Sequence, residues 1–384
     1  MRRIKAYLNN FFWLFLTYFA APYLYFRILF RPSANEVKKI LVIQFTKIGD
    51  LVCTTPVFRE IREKFPSAYL AVLVRSDTKD ILKNNSRINE IISINDYQGI
   101  KGRFKLIKKL GREKYDWAFN FSPIDILANI IAFWALIPNR VTTVYKGAGE
   151  MVRVLSVFNN HRLEFKQHTS LLKHYLTLLK FLGIEARSEK KEVFIKPEEE
   201  KKALDFLRRN NLSREDFLVG ISCTSGIPFR QWELEKFAAL ADLLTERLKA
   251  KIFFIGTAGD FSKNEKVQKI MRQSSINAAG AFKLYELSAF LKNLKLFISM
   301  DTGPIYIANA MHVPVVDIAA SDDMAEQSPS GPNVIIIQKD LYCAPCLCVF
   351  SGIRYCKEGH LRCIKEITPE EVFRACQELL KNYK

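Results

Sequence analysis

The stretch Lys39–Phe65, KILVIQFTKIGDLVCTTPVFREIREKF, constrains the fold more than any other part of the chain. Ile40, Leu41, Val42 and Ile43 form a short unbroken apolar run, which suits a strand buried on both faces. Phe45–Gly49 reads as a tight loop. From Asp50 onward Leu51, Phe58, Ile61 and Phe65 fall close to helical spacing, with Thr55 a poor fit. Strand, loop and helix in this order make the unit from which parallel α/β sheets are built. Asp50 stands at the helix start, where a carboxylate can cap free N–H groups. The functional alternative is an acid at the carboxyl end of a sheet strand, where ligands bind in such folds.

The same alternation runs on. Strands are predicted at Ile40–Gln44, Leu70–Val74, Glu90–Ile94, Trp117–Phe121 and Val141–Tyr145, with helices at Asp50–Lys64, Arg103–Arg112, Ile124–Ala135 and Ser170–Leu182. Glu189–Glu200 is polar and charged, contains Pro197, and reads as a linker. Strands then follow at Phe217–Ser222, Ile252–Ile255, Leu296–Ser299, Val315–Ile318 and Val334–Gln338. Helices follow at Glu198–Arg209, Glu233–Leu248, Lys263–Arg272, Tyr285–Lys292, Pro304–Met311 and from Thr368 to about Lys381. The chain has 384 residues, enough for two domains of ordinary size. Two successive doubly wound domains with a cleft between them are the simplest expectation.

Charge is unevenly distributed. Residues 1–190 carry 31 Lys and Arg against 15 Asp and Glu, whereas residues 191–384 carry 27 against 25. The first half should therefore face something anionic: a membrane surface, an acidic substrate or nucleic acid. A DNA or RNA binder is set aside because charge alone suggests it and no nucleic-acid module is present. Seven basic residues against Glu113 alone lie between Lys101 and Lys114. They read as a solvated helix face or as a contact for anionic lipid.

The first 32 residues stand apart. Ala6–Phe26 carries no charge and is crowded with aromatics, with Arg2, Arg3 and Lys5 before it and Arg27 and Arg31 after it. The run is long enough to cross a bilayer. Asn9, Asn10 and Pro22 interrupt it, aromatics prefer the headgroup region, and both flanks are basic. These features favour an in-plane or re-entrant cytoplasmic anchor over a single span. An apolar helix docked on the protein itself is the plain alternative.

Four stretches of the second half carry chemistry. In Ile221–Trp232, ISCTSGIPFRQW, a strand ends in hydroxyls and a glycine turn with Arg230 beyond, a set that suits a phosphate. In Ile255–Asp260, IGTAGD, Asp260 is either a ribose-binding carboxylate or a turn acid. In Phe297–Ala308, FISMDTGPIYIA, Asp301, Thr302 and Gly303 precede a helix begun by Pro304. The N–H groups at that helix start make an anion site that Gly303 lets a ligand approach. The fourth stretch holds five of the eight cysteines, from Cys343 to Cys363. Cys343, Cys346, Cys356 and Cys363 run C-x2-C, nine residues, C, six residues, C. Four thiolates at such spacing suit a structural Zn or Fe site, with Cys348 as a spare; buried thiols without metal are the alternative.

Together these stretches resemble glycosyltransferase family 9, the bacterial lipopolysaccharide heptosyltransferases. The likeness runs from about Lys38 to the C-terminus. KIGDLVCTTP, RQWELEKFAALADLL and SMDTGPIYIANAMHVPVV carry it, in that order, and the closing CAPC and ITPEEV segments add to it. The resemblance implies a GT-B fold: an acceptor domain over 36–190, a nucleotide-sugar domain over 191–368 and a helix over 369–384 crossing back to the first domain; the membrane-associating segment over 1–35 lies outside the family core. It implies inverting transfer of a heptose from ADP-heptose to a lipopolysaccharide core acceptor, with no catalytic metal. Asp50 matches the family's proposed base. Thr224, Ser225, Arg230, Asp260, Asp301, Thr302 and Gly303 match its donor-binding positions. Some members that glycosylate proteins are thought to hold iron in a comparable cysteine loop. Two departures lie near the donor. Ser222-Cys223-Thr224 stands where the family commonly has a His or a His-Pro-Gly-like turn, and Tyr306 where it often has His.

On this reading Asp50, its pKa raised by desolvation, takes the proton of an acceptor hydroxyl. Arg230 and the N–H groups after Asp301 meet the charge on the leaving diphosphate. The partners expected are ADP-heptose, an anionic glycolipid and the inner membrane surface, at a cytoplasmic location. Other enzymatic readings are a different nucleotide sugar or a protein acceptor. A non-catalytic scaffold that binds nucleotide sugars is the reading from another class.

Overall fold

A computed structural model describes residues 2–31, 36–145, 149–350 and 355–382. By their contacts they form two compact units: Met1–Lys47 with Thr54–Glu189, and Ile48–Cys53 with Lys190–Lys384.

The first unit runs α1 (Arg2–Leu29), β1 (Lys39–Gln44), α2 (Ile48–Lys64), β2 (Tyr69–Val74), β3 (Glu90–Ser93), α3 (Gly99–Glu113), β4 (Trp117–Asn120), α4 (Ile126–Trp134), β5 (Asn139–Val144), α5 (Gly149–Ser156), β6 (His161–Glu164) and α6 (Leu171–Leu178). Its six strands lie in the order β3-β2-β1-β4-β5-β6, with every neighbouring pair parallel. Ile40–Ile43 is fully buried at the middle of the sheet, as an apolar run without alternation requires. The four-residue β6 was not foreseen, because HRLE alternates exposed and half-buried residues at the sheet edge and lacks an apolar run.

The second unit runs α7 (Pro197–Arg209), β7 (Leu218–Ser222), α8 (Leu234–Leu248), β8 (Lys251–Phe254), α9 (Phe261–Ile270), β9 (Ile276–Asn277), α10 (Leu284–Leu291), β10 (Leu296–Met300), α11 (Gly303–Ala310), β11 (Val315–Ile318), β12 (Val334–Ile337), α12 (Arg362–Lys365) and α13 (Pro369–Asn382). Its sheet is again six-stranded and parallel, ordered β12-β11-β10-β7-β8-β9. Counted within each unit the two orders are the same, 3-2-1-4-5-6 of the dinucleotide-binding type. Pro197 does not mark a loose linker. It opens α7, where its missing N–H has no intrahelical partner to lose.

Val372, Ala375, Cys376 and Leu379 of α13 are buried in the core of the second unit, with Phe237 and Leu240 of α8. That apolar stripe is what holds the helix.

Candidate active site

In a doubly wound sheet, ligands bind beyond the carboxyl ends of the strands where the chain order reverses. In the second unit those strands are β7 and β10, which pair in parallel. The loop after β7 carries Thr224, Ser225 and Arg230, and the loop after β10 carries Asp301, Thr302 and Gly303. The structure thus gathers six of the predicted positions at one sheet end.

Arg230 is the centre of this group. Its guanidinium lies 3.3 Å from Asp301 Oδ2 and also pairs with Asp322, and all three side chains are largely buried. The expected phosphate-binding cation is therefore held by two carboxylates, while its Nε has no protein partner. Below them Asp317, on β11, is completely buried and neither carboxyl oxygen has a partner. Burial pushes its pKa well up, and Asp301 and Asp322 push it further, against the pull of Arg230.

Tyr306 of α11 donates from its hydroxyl to Asp301 Oδ1 at 2.7 Å. Thr302 and Ser299 share a hydroxyl contact of 2.9 Å that holds the start of α11 to β10. Ser225 and Gln231 order the other loop. The Ser225 hydroxyl accepts from the Ile227 N–H at 3.1 Å, and Gln231 donates to the Cys223 and Trp232 carbonyls at 2.9 and 2.8 Å.

Asp50 lies in the first turn of α2, two residues inside its start at Ile48, rather than at the cap position that its sequence context predicts. That turn belongs by its contacts to the second unit. Two glycines make the approach close. A Cβ on Gly49 would come within 2.9 Å of the Tyr306 ring, and one on Gly303 within 2.8 Å of Ile48 Cβ. Asp50 and Asp301 both act on the buried Cys53 thiol, whose pKa burial drives up to about 12, while Lys191 acts in the opposite sense. Lys191 is itself buried, with its ammonium 3.0 Å from Asn309 Oδ1 and 3.0 Å from Ser330 Oγ.

Asp260 serves its own turn. Its Oδ2 accepts from the Thr257 N–H at 2.8 Å and the Thr257 hydroxyl at 2.7 Å, the reading of a turn acid. Its place after β8 still sets it beside β7, the strand that leads to Thr224.

The cysteines gather in one region. All eight are free thiols. Burial pushes the Cys363 thiol up to about 11, and Cys346, Cys356 and Cys343 add to this, so the four expected ligands are neighbours. Cys348 faces Glu326 and Asp323 instead. His360 Nε2, 3.9 Å from Cys343 Sγ, is a further donor that spacing did not reveal. Among the described residues no three of these donors lie within 4.8 Å of one another, so the set is assembled but not closed. The loop is tied to the Arg230 site: Cys346 and Leu347 donate to the Ser321 carbonyl, and Asp323 donates to that of Leu347.

The sequence profile of glycosyltransferase family 9 (heptosyltransferase) matches residues 103–351. The chain belongs to glycosyltransferase family 9. It is accordingly a glycosyltransferase of the heptosyltransferase type. Lipopolysaccharide heptosyltransferase 3 of Escherichia coli is 25% identical over 304 residues, covering 75% of this chain and 85% of that protein. A solved family 9 structure from Veillonella parvula is similar with a TM-score of 0.80 at 22% identity, covering 91% of this chain and 99% of the other. The E. coli ADP-heptose lipopolysaccharide heptosyltransferase II structure is similar at 0.71 and 20%, covering 90% and 99%. The two Rossmann-like units are those of the GT-B fold.

Sequence reasoning missed Lys191, Asp317, Asp322 and His360. Asp317 alone had a signal, since it interrupts the apolar run Val315–Ala320. Lys191 sits in a run of charges that shows nothing of its burial.

Proposed function

We propose that this glycosyltransferase moves a heptose from ADP-heptose to an anionic lipopolysaccharide core acceptor at the cytoplasmic membrane face, inverting the anomeric centre. The observation that carries the reading is the meeting of the Asp50 turn with Tyr306 and Gly303, beside the Arg230–Asp301 pair.

Asp50 takes the proton of the acceptor hydroxyl as its oxygen attacks the anomeric carbon. The bond from that carbon to the ADP oxygen breaks, and the diphosphate leaves with its electron pair. Arg230 and the N–H groups at the start of α11 meet the developing charge. Because Asp301 and Asp322 already hold Arg230, the diphosphate takes over part of that guanidinium from them. Thr224 and Ser225 offer hydroxyls to the same phosphates, and Asp260 an acceptor to the ribose. No metal takes part in the transfer. The thiols of Cys343, Cys346, Cys356 and Cys363 are the donor type of a structural Zn or Fe, which would have to draw the four together and would then fix the loop without entering the chemistry.

A second reading, another nucleotide sugar, is favoured by Tyr306 and by Ser222-Cys223-Thr224 at the two departures near the donor. A panel of ADP- and UDP-sugars with purified protein, together with mass spectrometry of the glycolipid from a deletion strain, separates the two. Turnover of ADP-heptose and a glycolipid short of one heptose are expected. Turnover of a different donor alone contradicts the first reading.

A further inference from the structure

The N-terminal helix α1 is docked along one stripe and bare along the other. Trp13, Thr17, Ala21 and Leu24, at helical spacing, are buried against the first unit. Trp134 of α4 donates its indole N–H to the Thr17 hydroxyl at 2.9 Å, and Tyr18 and Tyr25 donate to the Val154 and Val157 carbonyls at 3.2 and 3.4 Å. Arg31, just past the helix, reaches the Leu136 carbonyl at 2.5 Å. On the far side Phe11, Phe15, Phe19, Tyr23, Phe26 and Phe30 make one ridge, each 57–80% exposed. Water-soluble surfaces rarely carry so large a contiguous apolar patch without a partner.

The surroundings say what that partner is. Trp13 packs on Phe104 of α3 at 5.3 Å between ring centroids, so α3 lies beside the ridge. Its outward stripe is Lys101, Phe104, Lys105, Lys108 and Arg112, all exposed. On the other flank Val154 of α5 and Val157 just past it are exposed, with Arg153 next to them. Aromatics bordered by Lys and Arg are the composition of a surface that enters the headgroup region of an anionic leaflet. A protein partner, a second copy included, would have to supply carboxylates against both flanks; anionic lipid supplies the charge anywhere along them.

We propose that α1 is an in-plane membrane helix, in which the first unit acts as the polar face and the Phe11–Phe30 ridge enters one anionic leaflet. The helix is long and apolar enough to cross a bilayer. Crossing, however, would strip Trp13, Thr17, Ala21 and Leu24 from the first unit, a docked length of about 16 Å, and remove Trp13 from the Trp134 and Phe104 rings it packs on. The ridge itself runs about 28 Å along the surface of the unit. The inference is independent of which sugar is transferred.

The test uses the full chain with vesicles of phosphatidylethanolamine and phosphatidylglycerol, and with neutral phosphatidylcholine vesicles. Flotation with the anionic vesicles and at least tenfold weaker binding to the neutral ones are expected. The variant Phe15→Ser/Phe19→Ser/Tyr23→Ser should lose at least tenfold in vesicle affinity with an unchanged melt. Should that variant fail to fold, Lys101→Glu/Lys105→Glu/Lys108→Glu carries the same expectation. Amide hydrogen exchange on vesicles should leave α4 as protected as in solution, with 100–105 and 153–157 gaining protection. Three results overturn the proposal: vesicle binding indifferent to both variants, loss of protection in α4 as a spanning helix requires, or a solution dimer that the ridge variant dissociates while wild type ignores vesicles.

Discussion

The Tyr306 hydroxyl donates to Asp301 Oδ1 at 2.7 Å, and on the other carboxyl oxygen Asp301 faces Arg230 at 3.3 Å. Asp301 is thus fixed from two sides, and the ring that fixes it also packs against Gly49, the residue before Asp50. One buried tyrosine links the start of α11 to the turn that carries the proposed base. Burial and Asp301 both hold its phenol protonated, so it remains a donor across the working pH range. Tyr306→Phe removes a hydrogen bond to a charged acceptor, worth about 1.5–3 kcal/mol. A lower melting temperature and weaker ADP binding are expected. A melt identical to wild type would mean that Asp301 is held without it.

Arg230→Ala should weaken ADP binding at least tenfold. It also leaves Asp301 and Asp322 without their cation, and breaking a buried pair from one side costs about 3–5 kcal/mol. Arg230→Lys, which keeps the charge, separates the two effects. It should restore most of the melt and little of the ADP affinity, because an ammonium lacks the planar fork. Calorimetric titration with ADP reads one and thermal melting the other.

Asp317 predicts a pH dependence of stability. Its folded pKa is raised, so between the unfolded value and the folded one the native state holds a proton that the unfolded chain has released. Stability from this group therefore falls as pH rises from about 4. Asp317→Asn keeps the shape without the charge. It should melt above wild type at pH 8, with the gain vanishing near pH 4. A gain that is the same at both pH values would remove the buried acid from the account.

The cysteine loop is predicted to hold one metal per chain when the protein is purified without chelator. Cys343→Ser/Cys346→Ser should abolish it and lower the melt. Because the loop pairs with Ser321–Asp323, and Asp322 pairs with Arg230, ADP affinity should fall as well. Elemental analysis and ADP titration of the variant read both. Metal-free wild type with an unchanged melt would leave four gathered thiols and no site.

The sheet strands were legible because parallel strands buried on both faces are written as apolar runs, and Ile40–Ile43 and Leu296–Ser299 are such runs. Edge strands β6 and β9 were not, since HRLE and IN carry no such signal. Asp50, Arg230 and Asp301 could be picked out because each follows a central strand. What they touch could not. The ion pair of Arg230 with Asp322 joins residues 92 positions apart, and nothing local in either segment specifies it. For α1 the aromatic run announced an unusual helix. Only the packing of Trp13, Thr17, Ala21 and Leu24 separates the docked stripe from the bare one.

The most direct test of the proposed mechanism is Asp50→Asn, with ADP-heptose binding and turnover measured on one preparation. Donor affinity should stay within about threefold of wild type, with turnover lower by the 10²–10⁴-fold that general-base catalysis contributes. Turnover within about threefold of wild type would contradict that mechanism, and with it the role of Asp50 as the base.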